Sequence, residues 1–206
     1  MKVVRKTLEP GVVEFERRAF FNASLKLISA GKFQLASMDE IAFHARISGM
    51  ATPFIFENKN NLFSDLVEDI TSQIAKVMND EMTKAHPLKQ KFFALWLALY
   101  EYYSKHPGVA SFIEQREALC KSSSSEIYPD AFEPLIGFFK SAKDEIRNDI
   151  SAEILATVFH ENILAAVKLR SGFMSDAENL RLKLLPLLLW ENYVCHERGG
   201  QKATYR

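Results

Sequence analysis

Five histidines and two cysteines are the side chains with which this chain could hold a metal or move a proton. His44, His86, His106, His160 and His196 are scattered, and none follows a glutamate by three residues, the spacing of carboxylate-bridged metal bundles. His160-Glu161 opens like a zinc-protease helix, but position 164 is leucine, so the second histidine is missing. Cys120 and Cys195 have no metal-type spacing and read as buried thiols of a reducing compartment. The sequence carries neither a glycine-rich phosphate loop nor a nucleophile elbow. It therefore predicts no catalytic residue, no metal and no cofactor: the chain is not expected to be an enzyme. What remains is anion chemistry. Lysine plus arginine equals aspartate plus glutamate, 26 against 26, but residues 1–60 carry nine basic and six acidic side chains, a balance of +3. Residues 61–206 carry 17 and 20, a balance of −3. The N-terminal quarter is the place to meet a polyanion.

The elements that would position those residues are helices. Hydrophobic residues make up 48% of the 206, ample for a core, and the 8 glycines and 7 prolines punctuate segments of helical period. No stretch alternates with period two, so no strand is assigned. The first helix should run from about Val12 to Ser29, stopped by Gly31. Ser37 with Glu40 forms a capping box that opens a short helix bearing Met38, Ile41, Ala42 and Ala45 on one face. Ser48 is the expected N-cap of a third helix reaching Phe54 or Phe56. A long helix follows from Asn60 towards His86, and further ones are expected over 88–105, 109–120, 127–146, 151–170 and 176–196, with Ser122–Ser125 as a loop. The fold class is all-α, about nine helices: a three-helix unit over residues 1–58 and a larger bundle over 59–206.

Residues 38–55 have the spacing of a helix-turn-helix. Ile41, Ala45, Ile47 and Ile55 supply the contacts between two crossed helices, and Ala42 sits at their closest approach. The helix from Ser48 begins without bulky core residues, as a reader of the major groove must.

Residues 15–63 resemble the N-terminal domain of the tetracycline-repressor (TetR) family of transcriptional regulators. The likeness rests on Arg17 or Arg18, Ala23 and Gly31-Lys32-Phe33. It continues through Ala36-Ser37-Met38-Asp39-Glu40-Ile41-Ala42 and Ala45-Arg46-Ile47-Ser48, and closes with Phe56-Glu57-Asn58-Lys59-Asn60-Asn61-Leu62-Phe63. It covers about a quarter of the chain. The resemblance implies phosphate contacts from Ser37 and Lys59. It also implies a groove-facing surface of Ser48, Gly49, Met50 and Thr52, with Thr52 reading a base edge or a thymine methyl. Two departures stand out. Arg46 occupies the position of the family's turn glycine, which adopts a left-handed backbone; this costs on the order of 1 kcal/mol and adds a cation near the DNA. Pro53-Phe54-Ile55 replaces the usual aromatic pair and removes a tyrosine hydroxyl, and Pro53 would disturb the last turn of a helix begun at Ser48.

Further on, aromatic residues are dense, and the resemblance implies a small effector held among them. The candidates are Trp96, Tyr100, Tyr103, Phe112, Arg116, Phe132, Phe159, His160 and Asn162, which favour an aromatic or hydrophobic molecule. The final segment, Leu180 to Val194, is apolar nearly all round, and such a helix is buried on more than one side. A second subunit is the expected cover, through Ile163, Val167, Leu185, Leu188, Leu189 and Tyr193. The whole implies a homodimeric repressor on double-stranded palindromic DNA, released by a small apolar effector. A DNA-binding protein of the same fold controlled by a protein partner, or one with no small effector, stays open. No segment reads as a signal peptide or membrane span, so a cytoplasmic, nucleoid-associated protein is expected.

Overall fold

A computed structural model describes residues 10–49, 51–84, 86–120, 132–142, 144–147, 149–171, 181–182 and 184–194. The expected Ser122–Ser125 loop, Met50, Cys195, His196, and the side chains of Cys120 and Arg116 lie outside them. So does the opening part, residues 176–180, of the helix expected over 176–196.

Among the described residues the chain is all-helical, with nine helices and no strand. They are α1 (Pro10–Ser29), α2 (Met38–Ala45), α3 (Thr52–Ile55), α4 (Lys59–Met82), α5 (Leu88–Lys105), α6 (Pro107–Cys120), α7 (Glu133–Ser141), α8 (Ala152–Ser171) and α9 (Leu185–Tyr193). They fall into two compact units. The first takes residues 1–73 and 103–130, and the second takes 74–102 and 131–206. The first unit thus contains the helix-turn-helix segment together with the opening half of α4 and all of α6.

In the first unit α1 packs against α2 and α6. Gly31 ends α1 at φ +65°, and the bonds Lys32 N to Leu27 O and Gly31 N to Ile28 O, both 2.8 Å, close the helix. Gly108 is required by proximity, since a Cβ there would lie 2.9 Å from the Cβ of Leu25. The core is Phe20, Ala23, Leu27, Ile41, Ala42, Phe56, Leu62 and Phe63, all buried. Phe56 meets Phe20 edge-to-face at 5.4 Å, and Phe63 packs on Phe33 and Phe112. Arg17 covers the rings of Phe21 and Phe56 and pairs with Asp65 at 3.0 Å, tying α1 to α4.

The second unit is built on an aromatic cluster. Phe92 lies against Phe159, Trp190 and Tyr193 with ring centroids 4.9–5.4 Å apart, and Phe139 completes the group. The Tyr193 hydroxyl donates to the Leu155 carbonyl at 2.9 Å, and burial pushes its phenol well above the ordinary value. The Arg147 amide donates to the Tyr193 carbonyl at 2.8 Å, and Ile146 pairs with Val194 as an isolated antiparallel bridge.

Candidate nucleic-acid interface

The turn between α2 and α3 decides what this site can present. Ser37 caps α2, its hydroxyl accepting from the Glu40 amide at 3.2 Å, with Asp39 and Glu40 in the first turn. The helix ends at Arg46 with φ 60° and ψ 37°, the one non-glycine residue at positive φ among the described residues. The Ile47 amide reaches Ala42 O at 3.0 Å and the Arg46 amide reaches Phe43 O at 3.1 Å. This is the bonding that usually demands glycine, here held by an arginine whose side chain is exposed. The left-handed turn expected at Arg46 is therefore present.

The reading helix differs from expectation. It does not start at Ser48: α3 is the four residues Thr52–Ile55, preceded by a turn in which the Ala51 amide bonds Ser48 O at 2.9 Å. Ser48 is thus not its N-cap; that position is Ala51, with no side-chain cap. The cause is Pro53. Deep in a helix begun at Ser48 it would lack an N–H and clash one turn back, whereas in the first turn of α3 the missing donor is needed by nothing. The disturbance expected in a last turn does not arise, because the helix starts later.

Two further expectations are corrected. Thr52, expected to face the groove, is only 5% exposed, and its Oγ1 has no hydrogen-bond partner among the described residues. A hydroxyl so placed reads no base. Lys59, expected on a phosphate, instead donates to the carbonyls of Phe33, Gln34 and Ala36 at 2.5, 2.8 and 2.9 Å, with its ammonium 4.7 Å from the Phe33 ring. An ammonium has three donors, and all three are engaged. Burial holds this amine below its usual range, opposed by the charge of Glu40. Lys59 fastens the α1–α2 loop to the start of α4, where Asn58 Oδ1 accepts from the amides of Asn60 and Asn61.

What this surface does present is Arg46, Ser48, Gly49, Pro53 and Phe54, all exposed, the last at 67%. Beside them runs a shallow groove of about 720 Å³ lined by α1 and α2, with Asn22, Lys26, His44 and Arg46 as its polar and basic rim and Phe43 exposed in it. Sequence reasoning missed Lys26 and Phe43. The signal for Lys26 was its place near the C-terminus of α1, facing the helix that carries the turn.

The expected effector residues are divided. In the second unit, Trp96 Nε1 donates to Asn162 Oδ1 at 3.0 Å, Trp96 stacks on Tyr100, and Phe132 lies 4.3 Å from the His160 ring. Phe159 belongs to the aromatic cluster and is fully buried. Tyr103 and Phe112 belong to the first unit, where Phe112 is buried against Phe63. Of the expected dimer contacts, Ile163 and Tyr193 are buried within the chain itself, Tyr193 being fixed by its hydroxyl bond and ring packing. Val167, Leu185 and Leu189 are half-buried, and Leu188 is 66% exposed. Large apolar side chains are exposed on both helices: Ile154, Val158 and Leu169 on α8, and Leu184, Leu187 and Leu188 at α9. Among the described residues no helix is long and apolar enough to cross a membrane.

This architecture is the fold of the TetR-family transcriptional regulators. A TetR-family regulator from Marinobacter aquaeolei VT8 superposes with a TM-score of 0.76 at 18% identity, covering 90% of this chain and 99% of the other. One from Haemophilus influenzae gives 0.70 at 14%, covering 90% and 100%. The regulator FadR from Bacillus subtilis, solved in complex with stearoyl-CoA, gives 0.63 at 14%, covering 84% and 95%. No family sequence model matches the chain, and neither does any curated relative.

Proposed function

We propose that this chain is a transcriptional regulator of the TetR type, a homodimeric repressor that binds a palindromic operator and is released by a small, mainly apolar effector. The observation that carries the reading is the left-handed turn at Arg46 joining α2 to α3, in a chain sharing the regulators' fold over nine-tenths of its length. That turn costs on the order of 1 kcal/mol for a residue with a side chain, and a DNA-facing cation is a reason to keep one there. Residues 1–58 act as the DNA-binding part and 59–206 as the effector and dimerisation part. Ser37, Arg46, Ser48, Gly49, Pro53 and Phe54 face the duplex.

Dimerisation uses the exposed Ile154, Val158, Leu169, Leu184, Leu187 and Leu188, with the half-buried Val167, Leu185 and Leu189. Exposed apolar side chains on two helices of one unit are relieved by burial against a second copy. The effector would sit near Trp96, Tyr100, Phe132, His160 and Asn162. The FadR neighbour's stearoyl-CoA supports an acyl or similarly apolar molecule.

The test is selection of bound fragments from random duplex DNA at moderate salt, followed by thermal-shift screening against acyl and aromatic compounds. An enriched palindrome, with affinity falling steeply as salt rises, is the expected result. Recovery of no common sequence would end the DNA reading. Enrichment with no ligand shift would leave a regulator without a small effector.

A further inference from the structure

Among the described residues, the exposed side chains of α3 and of the turn just before it offer few groups that could hydrogen-bond a base. Thr52 is turned into the core, Gly49 has no side chain, and Ser48 offers one hydroxyl. The protruding part of α3 is instead apolar: Pro53 is exposed, and the phenyl ring of Phe54 is 67% exposed on a helix of only four residues. Thr52 before it and Phe56 after it are turned inward, 5% and 2% exposed, and the Phe54 ring is turned outward between them. Beside this segment stand cations suited to a duplex: Arg46 is exposed at the preceding turn, and Lys26 and Arg46 line the adjoining groove. An apolar ring brought into a major groove by such charges meets one apolar feature there, the thymine C5 methyl, which distinguishes A·T from every other pair.

We infer that Phe54 is a specificity-determining residue that reads a thymine methyl, one in each half-site, and that this apolar contact takes the place of the hydroxyl readout Thr52 would have supplied. The inference rests on the proposed DNA-binding function and deepens it. It requires a thymine at a fixed position of each half-site. It also requires indifference to the hydrogen-bonding edge of that base, so 5-methylcytosine should partly substitute where its pairing allows.

The experiment takes the operator recovered by selection and replaces each thymine in turn by deoxyuridine, which removes only the methyl group. The wild-type chain should lose about fourfold in affinity at one position per half-site, the worth of one buried methyl group, and little elsewhere. Phe54→Ala should bind the thymine operator more weakly and show no loss on that substitution. Phe54→Leu, which keeps an apolar side chain, should retain part of it. Phe54 is exposed, so both variants should keep the wild-type circular dichroism and melting temperature. A flat deoxyuridine scan for the wild type, or an unchanged scan in Phe54→Ala, would overturn the assignment while leaving DNA binding intact. Failure of the folded wild-type chain to enrich any sequence would overturn both.

Discussion

The Lys59 ammonium and the Phe33 carbonyl oxygen stand 2.5 Å apart, and the same nitrogen also serves Gln34 and Ala36. A cation at the head of α4 is thereby an internal fastener of the loop that leads to Ser37. Its charge is committed within the fold. Lys59→Ala should lower stability by about 1–2 kcal/mol, because several hydrogen bonds from a charged donor vanish while the carbonyls recover water. The dependence of DNA affinity on salt should keep its slope, whereas loss of a phosphate contact would reduce it by about 0.9. Denaturant melts and salt titrations of the two proteins make the comparison.

Thr52 offers a stabilising substitution. Its buried Oγ1 has no partner, so Thr52→Val replaces an unsatisfied polar atom by a methyl of the same shape. Stability should rise by about 1 kcal/mol, and the preferred operator sequence should stay as it is. A changed base preference in repeated selection would show that the hydroxyl turns outward on DNA.

Arg46→Gly should have opposite effects on two observables. Glycine adopts φ 60° freely, so stability should rise by about 1 kcal/mol, less what glycine loses through a more flexible unfolded chain. If the guanidinium meets a phosphate, the salt slope should fall by about 0.9.

The oligomer is tested by two substitutions on one helix. Val158 is 48% exposed and Ile163 is fully buried, both on α8. Val158→Glu should yield a folded monomer in sedimentation. Ile163→Glu should unfold the subunit, since it forces a charge into the core.

Tyr193 makes a prediction in pH. Burial raises its phenol above 10.0, the value near which the unfolded chain ionises. Below pH 10 both states hold the proton and the contribution is complete. Above it the unfolded state releases the proton first, so stability falls as pH rises. Tyr193→Phe should cost about 1 kcal/mol at neutral pH and flatten that alkaline decline.

The parts of the fold written locally were legible. Ser37 with Glu40, Gly31 after Ser29, and helical periodicity placed α1, α2, α4 and α5 within a few residues of their observed bounds, because caps and stops act over a single turn. The start of α3 was not read correctly, although Pro53 carried the signal: proline favours the first turn of a helix. Two plausible starts competed, and the good cap at Ser48 hid the better one. Burial on α8 and α9 was beyond periodicity for another reason. Ile163, Val158, Tyr193 and Leu188 are all apolar, and which of them faces inward depends on where Phe92 and Phe139 lie, positions set by distant sequence. The same holds for Lys59, whose three acceptors come from a loop more than twenty residues away.

The end of α9 is latched from inside its own unit, by the Tyr193 hydroxyl on Leu155, the Arg147 amide on the Tyr193 carbonyl, and the Ile146–Val194 bridge. Leu184, Leu187 and Leu188 therefore stand ready on a preformed surface before any second copy arrives. Assembly of the proposed dimer is then a docking of finished parts, with an on-rate in the ordinary range of about 10⁵–10⁷ M⁻¹s⁻¹ rather than one slowed by coupled folding. On dilution, subunits should separate with their helical signal undiminished, and newly made chains should pair at a rate set by their concentration alone.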